Sequence, residues 1–125
     1  MGSRRPYTAT SGLQVDTGNL PERLTWQETV ERLHRLTLLG LGEDVTSVRV
    51  ELLSCDTGAG PDNDIECRLT VRLRRSSCVL NIETRHSDGA LAVTQAFARA
   101  QREAQRQLDT SRRAARRHYL SDAPD

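Results

Sequence analysis

Apolar and polar positions fall into two periods along this chain. Over residues 45–53 the period is two: Val48, Val50 and Leu52 point one way and Arg49 and Glu51 the other, as in a strand with one buried face. Ile65, Cys67, Leu69, Val71 and Leu73 alternate with Glu66, Arg68, Thr70 and Arg72, the cleanest strand signal in the sequence. After a hairpin turn at 74–77, Cys78, Leu80 and Ile82 alternate with Val79, Asn81 and Glu83 in a third strand. Elsewhere the period lengthens. Val93, Phe97, Ala100, Ala104 and Leu108 recur at spacings of three and four, which places them on one stripe of a helix opened by Ser87 and Asp88.

A second helical stripe consists of Trp26, Val30, Leu33 and Thr37, with Glu31, Arg32, His34 and Arg35 turned toward water. Thr25-Trp26-Gln27-Glu28 has the form of a capping box, so this helix is expected to start there or one turn earlier near Pro21, and Gly40 is expected to end it in a left-handed conformation. Residues 54–64, with Gly58, Gly60 and Pro61, read as a mobile loop. Residues 1–18 read as a flexible segment or, around 7–15, a weak edge strand, and 121–125 as a disordered tail. One domain over 19–120 follows. Its expected class is α+β: two layers in the order β-α-β-β-β-α, with a four-stranded antiparallel or mixed sheet, its first strand weak, packed on two helices.

Composition supports a single domain, since 125 residues with 36% hydrophobic content supply one modest core. No stretch of 18 apolar residues is present, and the start Met1-Gly2-Ser3-Arg4-Arg5 leads into polar sequence, so the chain is expected to be cytoplasmic, with no membrane partner. The net charge is only +1, but it is unevenly distributed. Seven arginines against Glu103 and Asp109 give 99–117 a net +5. Arg99, Arg102, Arg106, Arg113 and Arg117 follow helical spacing on a face away from the apolar stripe, and form a cationic ridge suited to phosphate. All 18 basic residues are arginine, whose planar fork favours bidentate contact with phosphate.

Catalytic chemistry finds little footing. His34, His86 and His118 are scattered, with no partner at metal-ligand spacing, and Cys55, Cys67 and Cys78 fit neither a metal clip nor a paired disulfide framework. Gly58 and Gly60 lack the Gly-Lys-Ser/Thr of a phosphate loop. Asp56, Asp62 and Asp64 lack the order of a calcium loop. No enzyme activity, cofactor, metal or small-molecule substrate is expected.

Three stretches together carry a resemblance: Val45-Thr-Ser-Val-Arg-Val-Glu-Leu, Cys67-Arg-Leu-Thr-Val-Arg-Leu, and Asp88-Gly-Ala-Leu-Ala-Val-Thr-Gln-Ala-Phe with Arg106-Gln-Leu after it. In order and spacing the chain resembles, over residues 20–118, the ribosome hibernation-promoting factor family, which includes the ribosome-associated inhibitor and the sigma-54 modulation proteins. It departs from that pattern at Ala90, where an aromatic is common, at Thr94, where an acid is common, and in having arginine for lysine throughout. The resemblance implies a β-α-β-β-β-α domain that binds the small ribosomal subunit and its RNA, blocks the messenger and transfer RNA sites, and so inhibits translation in stress. The residues it implies for RNA binding are Arg32, Arg35, Arg99, Arg102, Arg106, Arg113 and Arg117. Seven residues follow His118, so the likeness is to a short form without the extra C-terminal domain of longer members. Two alternatives stay open: a double-stranded RNA-binding-like module, and a protein-interaction domain of the same fold without RNA binding.

Overall fold

In the computed structural model, residues 7–8, 12–18, 20–55, 64–74 and 78–121 are described. The elements run β1 (Tyr7–Thr8), β2 (Leu13–Asp16), α1 (Arg23–Leu36), a 3-10 segment (Leu39–Asp44), β3 (Val45–Cys55), β4 (Asp64–Leu73), β5 (Val79–His86) and α2 (Gly89–Ser121). One sheet has the strands in the order β1-β2-β3-β4-β5. β2 and β3 pair in parallel and the other neighbours antiparallel, so the sheet is mixed. A parallel pair needs a crossover, and α1 supplies it.

The registers stack the alternating residues of the sequence into rungs. Val15, Val50, Leu69 and Ile82 lie side by side across four strands, as do Leu13, Val48, Val71 and Leu80. Every one of these is buried. The opposite face is polar, with rungs such as Gln14, Arg49, Thr70 and Asn81. Both helices therefore contribute to one core, which joins the apolar sheet face to Val30 of α1 and to Ala92, Val93, Ala96, Phe97, Ala100 and Ala104 of α2. This is the two-layer α+β architecture expected.

The amino-terminal segment differs in detail. It holds two strands, and Leu13 and Val15, at 1% and 2% exposure, belong to the core. The short β1 takes the edge, which places β2 inside the sheet. Gly12 leads into β2 with φ +73°, and a Cβ there would stand 2.9 Å from the carbonyl oxygen of Thr46, so the close approach to β3 requires glycine. The loop expected at 54–64 begins later and ends earlier, since Ser54, Cys55 and Asp64 pair in β3 and β4. Its centre, 56–63, the turn at 75–77 and the tail beyond Ser121 lie outside the described residues.

Three local expectations for α1 are corrected. The helix starts at Arg23, after Glu22 in a left-handed conformation with no side-chain cap, so Thr25 sits inside the first turn and the capping box does not form. The helix starts near Pro21, the earlier of the two expected positions. The helix ends at Leu36, and the amide of Thr37 bonds to the carbonyls of Leu33 and His34. The left-handed glycine is Gly42, at φ +60°, in the 3-10 segment that follows, not Gly40. His34 is buried at 5% exposure and not solvated. It lies four residues after Val30, one turn along the same stripe. Burial lowers its pKa from the ordinary 6.5 by penalising the charged ring.

The start of α2 is well defined. The Asp88 carboxylate accepts from the amides of Ala90 at 3.0 Å and Leu91 at 3.4 Å, as a helix cap should. The next residue packs where no side chain fits. A Cβ on Gly89 would run into the indole of Trp26 and stand 2.7 Å from Cδ1 of Ile65. Inside the core, the Thr84 hydroxyl donates to the carbonyl of Ala92 at 2.6 Å, which ties β5 to α2. The Cys67 thiol of β4, wholly buried in the core, is pushed up to about 12 by burial and stays neutral.

Two measurements check these contacts. Alanine for glycine in a helix normally stabilises by about 0.5–1 kcal/mol, but Gly89→Ala is expected to lower the urea midpoint and to shift the emission of Trp26, the one tryptophan of the chain. A gain in stability would show that Trp26 does not press on Gly89. For His34 the lowered native pKa means that the unfolded chain takes up a proton first as pH falls below 6.5, so stability declines from that point downward. His34→Leu is expected to flatten this decline in melting scans between neutral pH and about pH 5.

Candidate nucleic-acid interface

The ridge is a consequence of how α2 packs. Its alanine and phenylalanine stripe faces the sheet, which leaves the opposite side of α2, over the described side chains to residue 114, to solvent. At 100° per residue, Arg102, Arg106 and Arg113 fall within an arc of about 40°, and Arg99 extends it to about 60°. All four side chains are exposed. Arg102, Arg106 and Arg113 line one shallow groove of about 430 Å³ together with Gln105, Asp109 and Thr110. Arg102 to Arg113 spans roughly 16 Å of helix axis.

The acids present leave most of this charge uncompensated. Glu103 approaches Arg106 at 3.9 Å with both side chains well exposed, a pair of little energetic weight. Asp109 stands within the groove, but its carboxylate accepts from the Gln105 amide at 3.1 Å. Arg99 reaches sideways, donating from Nη1 to the backbone carbonyl of Glu83 at 3.3 Å. With Arg102 it lines a second groove of about 480 Å³ along β5.

The remaining expected residues lie apart from this cluster. Arg32 and Arg35 are exposed on α1 and line neither groove. Arg117 lies on the last turns of α2, and its side chain is outside the described residues. Arg112, one residue before Arg113, occupies another side of the helix and pairs with Asp44 at 3.6 Å. That contact joins α2 to the 3-10 segment, and Gln101 makes a similar one by donating to the carbonyl of Thr37 at 3.5 Å. Gln105 and Thr110 are groove residues that the arginine spacing did not single out, although each falls three or four residues from a ridge arginine.

Among the described residues no group of three or more His, Cys, Asp or Glu is placed to hold a metal ion. No described helix is long and apolar enough to cross a membrane. The arrangement offers a row of guanidinium groups on a rigid support, which suits a polyanion with regularly spaced charges.

No protein-family model matches the chain, and no curated protein matches it in sequence. Solved structures match it in fold. A ribosomal subunit interface protein from Coxiella burnetii superposes with a TM-score of 0.60 at 11% identity, covering 78% of this chain and 97% of its own. The N-terminal domain of Protein Y from Thermus thermophilus gives 0.53 at 18% identity, with 74% and 92% covered. Both are of the hibernation-promoting-factor family, the one the sequence resembles, and at these identities the likeness is one of fold.

Because the ridge arginines make few contacts within the chain, they should contribute little to its stability. Arg102→Ala, Arg106→Ala and Arg113→Ala are each expected to change the unfolding free energy by less than about 0.5 kcal/mol. A loss several times larger in urea titrations would show that these side chains serve the fold.

Proposed function

We propose that this protein is a ribosome-associated translation inhibitor that binds small-subunit RNA through the arginine ridge of α2 and occupies the sites of messenger and transfer RNA. The observation that carries the reading is the alignment of Arg102, Arg106 and Arg113 in one exposed groove, opposite the stripe that fixes the helix to the sheet. The fold shared with a ribosomal subunit interface protein supports the ribosome as partner. Occupancy alone would inhibit, with no bond made or broken.

The affinity comes from phosphate neutralisation. Each guanidinium that meets a phosphate releases condensed counterions, so binding weakens steeply with salt and reads no base sequence. Selectivity comes from shape, because a helix held straight by a sheet presents its charges at fixed spacing to a folded RNA. Arg32, Arg35, Arg99 and Arg117 are proposed as further contacts outside the central groove. The domain of this reading is 19–120 together with the strands before it.

The double variant Arg102→Glu/Arg106→Glu is expected to abolish co-sedimentation with ribosomes in sucrose gradients while the circular dichroism spectrum stays that of the parent. Salt should act in the same direction, releasing the parent protein from the small subunit as ionic strength rises. Undiminished co-sedimentation of the double variant would remove these two residues from the interface. Binding to naked duplex RNA with none to ribosomes would favour a double-stranded RNA-binding module instead.

A further inference from the structure

The sheet has two unequal edges. β1 is two residues long, whereas β5 at the other edge runs for eight with a regular register and no bulge. Long, regular edges are templates for another strand, and proteins usually blunt them with a proline, a bulge or a covering segment. The amide of Leu73 donates to the carbonyl of Cys78 at 3.0 Å, and the antiparallel alternation that follows turns Leu80, Ile82 and Thr84 toward β4. Val79, Asn81, Glu83 and Arg85 therefore direct their N–H and C=O groups to the free edge. No other described strand pairs with them.

Alongside this edge lies the groove lined by Val79, Asn81, Arg99, Arg102 and Glu103, whose carboxylate lies 3.9 Å from Arg106, so that the groove keeps a net positive charge. Arg99 already bonds to one of the outward carbonyls, that of Glu83, as a placeholder for a ladder partner. We propose that β5 is a docking edge for an acidic extended segment of a partner protein, which adds a sixth strand and sets carboxylates against Arg99 and Arg102. Backbone bonds would supply affinity, and the two guanidiniums the preference for acid on the alternate residues that face α2. A second copy of this chain is disfavoured as occupant. Pairing β5 with itself across a two-fold would bring two pairs of these arginines together. This site does not depend on the ribosomal reading, and its test contains no ribosomes.

The probe is a fluorescein-labelled, end-blocked octapeptide of alternating glutamate and threonine, titrated against the full chain by anisotropy and by amide NMR. Binding is expected at low salt, with the Asn81 and Glu83 amides shifting. Methylating the peptide amides that face β5 leaves the charge unchanged and should weaken binding about tenfold, as the loss of a hydrogen bond or two implies. Lysine in place of glutamate should abolish it, and so should Arg99→Glu/Arg102→Glu. If that variant fails to fold, the two altered peptides carry the test by themselves. The proposal is overturned by equal binding of the methylated or the lysine peptide, or by no binding at millimolar peptide. It is equally overturned if the shifts fall on 105–113 and spare β5, if oligouridine displaces the peptide from the β5 amides at lower concentration, or if sedimentation equilibrium shows the chain already paired through this edge.

Discussion

The close packing of α2 against one face of the sheet determines where everything else stands. Four alanines, Ala92, Ala96, Ala100 and Ala104, are fully buried in the contact, and their small side chains let the helix approach while Phe97 fills the space between. The face of the sheet beneath is equally uniform, because the registers bring valines, leucines and Ile82 into continuous rungs. Interiors packed at this density tolerate little rotation. A turn of α2 about its own axis would bury arginine and expose phenylalanine, so the direction of the cationic ridge is fixed by the alanine stripe rather than by any contact the arginines make.

How far this was legible depends on the range of the interactions involved. The strand faces of β3, β4 and β5 and the stripe of α2 are periodic in sequence, and the periodic residues are buried as their pattern implies, except Ile65 and Cys78 at strand ends, which are half-buried. The short amino-terminal strands were harder to read. Leu13 and Val15 give only two alternations, and what holds them is pairing with β3 more than thirty residues later. His34 was misjudged because a polar residue type outweighed its position, four residues after Val30 on a buried stripe. Thr25 and Glu28 have the spacing of a capping box, yet the helix continues two residues upstream of Thr25 after a left-handed Glu22, so local hydrogen-bonding preference was overridden there. Within the ridge, spacing alone selected Arg113 over Arg112, and the structure gives the reason for the difference in Asp44.

Charge is handled differently on the two layers. On the open face of the sheet, acids and bases interleave: Arg49 meets Glu51 at 3.3 Å, and Arg68 lies between Glu66 at 3.5 Å and Glu83 at 3.9 Å. Such exposed pairs contribute little to stability, but they keep that face close to neutral. On α2 the acids are only Glu103 and Asp109 against seven arginines between 99 and 117, so a net positive field remains although Asp109 stands in the groove itself. The chain as a whole is nearly neutral, and a ligand approaching α2 meets a local surface that is not.

The length of α2 completes this separation. Leu108 is the last buried position among the described side chains, yet the helix continues to Ser121, and residues 110–114 have no buried position. A helical stretch without a buried position, such as 110–114, gains little from packing and is marginal by itself in water. Asp44 pairs with Arg112 there, so Arg112 is engaged within the chain while Arg113 beside it lines the ridge groove. A polyanion bound along the ridge would stabilise the helix further, because it removes the mutual repulsion of Arg102, Arg106 and Arg113. The helix and the ligand would in that way each make the other's ordering less costly.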